Sequence, residues 1–188
     1  MSRASRFRQI TTYDHVSRLY RSWAGGHLPF LAVVGRSGTG KTHEYEDLLV
    51  AVSHHLFRGR TSAITLYQEV KDRPNQAIVF DDVRELLRDS SCLDLMKQLC
   101  DTRPRRTIRW RTRGLLDQDR QFCCSSNVLV VMNWVPKKDP DVDAILDRFD
   151  VVEFAPTKKE IIARMRLFAQ CQADVFLIAN RGCPDGVV

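Results

Sequence analysis

Unbroken apolar runs alternate along this chain with stretches whose apolar residues recur every three or four positions, and that alternation predicts an α/β protein. The unbroken runs are PFLAVV at 29–34, AIVFDDV at 77–83, NVLVVMNW at 127–134 and VVEF at 151–154. Each is short enough for a strand, and continuous enough to be buried on both faces, as strands of a parallel sheet are. Helical spacing fills the intervals. Tyr13, Val16, Leu19, Tyr20 and Trp23 predict an amphipathic helix over 11–23, closed by Gly25 and Gly26. Leu48, Leu49, Val52 and Leu56 predict a helix running from Lys41 to Phe57, with His54 and His55 on its surface near the end. Residues 61–71 fit either a strand or a short helix, and Thr61 as a cap before Ile64, Leu66, Tyr67 and Val70 favours the helix. Further helices are expected over 84–101, over 140–149 and over 157–169, the last with Thr157 as its cap and Glu160 three places on. Residues 103–113, RPRRTIRWRTR, switch to period two and predict a β segment or hairpin arm with arginines on one face.

A chain of 188 residues holds one α/β domain with a core of its own. At 44% hydrophobic and 28% charged, its composition is that of a soluble globular protein. The start, MSRASRFRQI, is basic, polar and loosely held in expectation, and lacks the apolar segment of a signal peptide. Apolar runs of six or seven residues are too short to span a bilayer. The six cysteines include no C-x-x-C pair and no histidine at zinc-ligand spacing, so reduced thiols and a cytoplasmic location are expected. The net charge of +6 leans towards a polyanionic partner.

Chemistry gathers where the predicted strands end. PFLAVV runs into Gly35, Arg36, Ser37, Gly38, Thr39, Gly40, Lys41 and Thr42, a phosphate loop of the form G-x-x-x-x-G-K-[ST] opening a helix. Glycines let the backbone N–H groups ring a polyphosphate, and the helix turns its positive end to the same charge. Lys41 then supplies a mobile cation for the outer phosphates, and the Thr42 hydroxyl suits Mg²⁺. AIVF carries Asp81 and Asp82 at its carboxyl end, the end at which open α/β sheets bind ligands. Asp81 is thereby placed to hold Mg²⁺ directly or through water, and Asp82 to orient or deprotonate an attacking water. Asn133, at the end of the next strand, suits the lytic water or the terminal phosphate. Tyr13 and His15, in the helix ahead of the first strand, stand where side chains can flank a base, packing being their other fate. Arg105, Arg106, Arg109, Arg111 and Arg113, with Trp110 among them, suit a nucleic-acid backbone and a stacked base, and equally a subunit contact or a solvated edge strand.

GRSGTGKT, IVFDD, VVMNW with Asn133, and ILDRF with Arg148 just before a strand together resemble the Walker A, Walker B, sensor 1 and arginine-finger series of AAA+ ATPases. More loosely, DLMKQLCDTRPRRTIRW followed by a polar loop and NVLVVMNW resembles the AAA+ proteins of phages, plasmids and other mobile elements, often linked to replication. The resemblance implies a three-layer α-β-α P-loop NTPase fold around five parallel strands. It implies a basic leader and helix at 1–26, an ATPase core at 27–155, and a short helical segment at 156–188 in place of the usual helical lid. ATP and Mg²⁺ are the implied cofactors. A ring or dimer of identical subunits is the implied assembly, in which Arg148 reaches the nucleotide of its neighbour. DNA, RNA or a replication protein is the implied partner, with no membrane. Asp82 stands where the family more often has glutamate, which implies slow hydrolysis. A nucleotide-dependent switch for a protein partner, with little turnover, is the alternative, and a small-molecule P-loop kinase a third reading that leaves Asn133 and Arg148 without a role.

Overall fold

The computed structural model describes residues 7–110, 121–136 and 139–181, with backbone only for the last nine of these. Six strands form one sheet: β1 (Arg8–Ile10), β2 (Phe30–Val34), β3 (His54–Arg58), β4 (Ala77–Asp81), β7 (Val128–Met132) and β8 (Asp150–Phe154). Their order is β1-β8-β2-β7-β4-β3, and every neighbouring pair is parallel. Two further strands, β5 (Arg106–Arg109) and β6 (Gln121–Cys124), pair antiparallel as a separate arm.

Strand β2 is buried at all five positions, and so is β7, which explains why their sequences are continuous apolar runs rather than alternations. Alternate side chains go to opposite faces. Ala32, Val34, Ile78, Phe80, Val130 and Met132 face α3 (Ala63–Asp72), α4 (Ser90–Leu99) and α5 (Pro140–Leu146). Leu31, Val33, Val79, Leu129, Val131 and Val152 face α1 (Tyr13–Ala24) and α2 (Lys41–Leu49). The result is the expected α/β sandwich. Its edge carries a sixth strand: Ile10 pairs with Phe154 and is only 1% exposed, so the basic leader is anchored from Arg8 onward.

The helix expected to reach Phe57 stops at Leu49, and His54–Arg58 crosses over as strand β3 beside β4. Sheet pairing overrides a helical apolar spacing whose later members are only half covered: Leu56 is 38% exposed. His55 consequently lies buried in a strand, where burial lowers its pKa. In α3 the cap is Ser62 rather than Thr61, its Oγ accepting from Thr65 N at 3.2 Å. The span 84–101 divides into a 3₁₀ turn, Arg84–Leu87, and α4, which Asp89 caps by accepting from Cys92 N at 2.9 Å. Helix α6 (Lys158–Arg181) follows its expected cap, Thr157 Oγ1 accepting from Glu160 N, but runs on to Arg181 where the pattern predicts an end at Ala169. Among the described residues no helix is long and apolar enough to cross a membrane.

Candidate functional site

Parallel register brings the ends of β2, β4 and β7 to one edge of the sheet, since Val33, Asp81 and Val131 stand level. Beyond β2 the chain turns through the glycine-rich loop into α2. Gly35 is required by a close approach: a Cβ there would lie 2.3 Å from the Phe154 carbonyl oxygen. Gly38 and Gly40 have φ of +75° and +78°, the left-handed angles that glycine adopts without strain. Thr39 Oγ1 donates to Arg36 O at 2.8 Å, and Tyr13 Oη donates to Thr39 O at 2.9 Å, so helix α1 braces the loop from behind.

Lys41 is 6% exposed, and all three of its donors are engaged: Gly35 O at 2.8 Å, Arg36 O at 2.7 Å and Asn133 Oδ1 at 3.0 Å. Burial lowers its pKa, and the carboxylates of Asp81 and Asp82 pull it back up. Thr42 Oγ1 donates to Asp81, 3.2 Å from one carboxylate oxygen and 3.3 Å from the other. A cavity of about 420 Å³ opens over these groups, lined by residues 37–43, Glu46, Asp81, Asp82 and 131–133. Six of the eight loop residues, together with Asp81, Asp82 and Asn133, thus lie around one space; Gly35 stands behind it, and Arg36 is exposed at its side.

Three features escape the sequence reading. Arg58, at the end of β3, donates through Nε to Asp81 Oδ2 at 3.0 Å and through Nη2 to Glu46 and Tyr45. Asp82 is the non-glycine residue with positive φ among those described, at +54°, a conformation Asp tolerates better than most. Glu44, 3% exposed in its side chain, receives Arg164 Nε of α6 at 2.7 Å and Ser17 Oγ of α1 at 2.6 Å, which holds α6 against the loop. A second cleft of about 360 Å³ lies there, walled by Tyr13, His43, Ile161, Met165 and Phe168. Tyr13 thus stands beside the loop, whereas His15 is exposed on the outer side of α1.

Arg148 lies elsewhere. It precedes β8, at the end of the sheet opposite the loop, and its Nη1 donates to Lys97 O at 2.6 Å. The arginine segment divides as well. Arg106 is 3% exposed, its guanidinium donating to the main-chain oxygens of Leu99, Cys124 and Ser126 while lying over the Phe30 ring, so it is a core residue and not a phosphate contact. Trp110 packs on Tyr67 at a ring distance of 6.0 Å, which takes it from the role of a free stacking platform. Arg105 and Arg109 are exposed; Arg111 and Arg113 lie outside the described residues.

No family model matches the chain. Over 151 residues, 74% of the chain, it is 24% identical to an uncharacterized 36.7 kDa protein from the nrdC-mobD intergenic region of Enterobacteria phage T4. The aligned stretch covers 44% of that phage protein.

Proposed function

We propose that the chain binds ATP with Mg²⁺ and hydrolyses it as an AAA+ type ATPase. The observation that carries the reading is the meeting of Lys41, Thr42, Asp81 and Asn133, from three elements, around a cavity ringed by loop backbone. The donor set fits the cation. Mg²⁺ keeps most of its waters and takes one or two protein oxygens beside those of the phosphates, which is what Thr42 and Asp81 offer. Bound there, it neutralises charge on the outer phosphates. The loop N–H groups and Lys41 hold those phosphates, Lys41 exchanging carbonyl partners for phosphate oxygens. Asp82 takes a proton from the attacking water as its oxygen bonds to the γ-phosphorus, and the bond to the β-phosphate oxygen breaks with its electron pair leaving on ADP. Asn133 orients the water or the terminal phosphate. The apolar cleft at Tyr13, His43 and Phe168 suits the base.

Replication, or work on partners associated with nucleic acid in a mobile element, is the proposed setting, in the cytoplasm and as a ring or dimer. The phage origin of the similar protein agrees with that setting. One observation favours the switch reading instead: Arg58 on Asp81 competes with a cation, which suits binding with little turnover. Titration with a fluorescent ATP analogue and a phosphate-release assay, each with Mg²⁺ and with EDTA, test both. Binding and turnover that need Mg²⁺ support the ATPase, binding without turnover supports the switch, and no binding removes both.

A further inference from the structure

Asp82 stands between two cavities. One is the space over the phosphate loop; the other, of about 630 Å³, opens on its far side among Gly59, Arg60, Arg84, Glu85 and Arg88. Besides Asp82, two carboxylates of this cleft are already engaged. Glu85 faces Arg60 at 3.7 Å, and Asp89 caps α4. The arginines are not matched in the same way: Arg84 has no acceptor among the described residues, and Arg88 has no carboxylate partner but lies over Trp134, its Cζ 4.5 Å from the ring centroid. Arg84 and Trp134 also line a small recess beside Asp82, which joins the stack to the cleft.

Exposed arginines on their own describe a solvated face, because a guanidinium in water needs no partner. Here, however, two arginines with no ion-pair partner among the described residues line one concavity that Asp82 borders, and one of them is already stacked on an indole. Arginine for phosphates and a π surface for bases is the combination by which proteins hold single strands. A compact phosphorylated molecule would call for arginines buried and braced by neighbours, whereas the Arg60 side chain is 96% exposed. An extended polyanion, touching each arginine through a different phosphate, suits such mobile side chains better.

We propose that this cleft binds a single-stranded nucleic acid, with Arg84 and Arg88 on successive phosphates and the Arg88–Trp134 stack against a base. This rests on the nucleic-acid half of the preceding reading and is independent of ATP hydrolysis. It moves the strand from the 103–113 arm, where Arg106 and Trp110 are built into the core, to the carboxyl edge of the sheet. The location has a consequence. Just beyond strand β7, Asn133 lines the nucleotide cavity and Trp134 the small recess, and Asp82 borders both, so a bound strand touches the elements that position the catalytic groups.

Fluorescence anisotropy with a fluorescein-labelled oligothymidylate, and with oligouridylate, tests this without nucleotide present. The Arg84→Ala/Arg88→Ala double variant is expected to bind at least about tenfold more weakly. Its log–log salt slope should be shallower by roughly 1.4, since each single-strand phosphate contact contributes about 0.7. Trp134→Leu should weaken binding and leave the slope as in the parent, and Arg105→Ala/Arg109→Ala on the arm should bind as the parent does. Circular dichroism and melting confirm that the variants are folded, and a parallel ATP titration shows whether the phosphate loop works on its own account. No binding of either oligonucleotide by the parent at low salt overturns the proposal. So do parent-like affinity and slope in the folded double variant, equal affinity for a duplex, or binding of polyglutamate in place of both oligonucleotides, which would point to an acidic protein segment.

Discussion

Lys41 Nζ and Asn133 Oδ1 lie 3.0 Å apart, joining the first residue of α2 to the end of β7 across the mouth of the cavity. The ammonium is therefore held over the space that the outer phosphates would enter. Lys41→Ala should weaken ATP binding by about 10- to 100-fold, because a charge-assisted hydrogen bond contributes about 1.5–3 kcal/mol. Titration with a fluorescent ATP analogue reads this directly. Parent-like affinity in a folded Lys41→Ala protein would show that the loop does not hold phosphate.

The same lysine sets a pH dependence. Burial lowers the pKa of Lys41 in the free protein, and a bound polyphosphate raises it, so the complex holds more protons than its parts once the pH exceeds the free value. Affinity should be full below that lowered pKa and fall as the pH rises through it. Lys41→Arg, which stays charged throughout, should show a flatter profile even if it binds less well. Identical slopes for the two proteins would assign the alkaline fall to another group.

Asp82→Asn separates binding from chemistry. Asparagine accepts left-handed φ as readily as aspartate, so the +54° backbone at this position is kept and the fold should hold. Loss of the base should slow hydrolysis by about 10²-fold or more while ATP affinity stays near that of the parent. An affinity loss as large as that of Lys41→Ala would move Asp82 into metal binding.

Much of this site was legible because its signals are local. Glycines at fixed intervals before Lys41 and Thr42, and acids directly after an apolar run, encode a strand end and a loop without reference to anything distant. What stayed hidden depends on tertiary pairing. Nothing near His54–Arg58 says that these residues leave a helix to pair with Ala77–Asp81, and without that pairing Arg58 cannot be brought to Asp81. Arg106 reads as one arginine among many until β6 and α4 close around it. The strand Arg8–Ile10 is three residues long and polar at two of them, too little for a pattern to announce.

Arg106 should prove structural. Arg106→Met leaves the oxygens of Leu99, Cys124 and Ser126 without the donor they now share, and unpaired buried polar groups cost about 1–3 kcal/mol each. Allowing for relaxation, we expect about 3 kcal/mol of lost stability, seen as a fall in Tm of roughly 6–12 °C for a domain of this size. Arg105→Ala, at an exposed position, should stay within about 0.5 kcal/mol. Thermal denaturation decides the matter: an unchanged Tm for Arg106→Met, with oligonucleotide binding lost, would return this arginine to the nucleic-acid surface.

Arg148 decides whether the proposed site works within one subunit or across two. Strand β8 begins level with Leu31, and Arg148 precedes it, so six residues of extended chain, roughly 20 Å, separate its level in the sheet from that of Gly35. No arginine side chain covers that span, and Arg148 cannot serve the loop of its own subunit. Two roles remain. In one, the bond from Arg148 Nη1 to Lys97 O is all it does, tying the turn after α5 to the end of α4. In the other, Arg148 neutralises charge that develops on the γ-phosphate of a neighbouring subunit, an effect worth on the order of 10³-fold or more in comparable phosphoryl transfers. Arg148→Ala should then bind ATP nearly as the parent does and hydrolyse it poorly. Mixing it with Lys41→Ala subunits should restore part of the activity, since the second variant lends its Arg148 to an intact phosphate loop next door. A purely structural arginine gives a different pattern, stability lowered by about 1–3 kcal/mol with no rescue on mixing. Full activity of Arg148→Ala alone, or no rescue in mixtures shown by sedimentation to co-assemble, would remove the shared site and leave a nucleotide-binding switch complete within one chain.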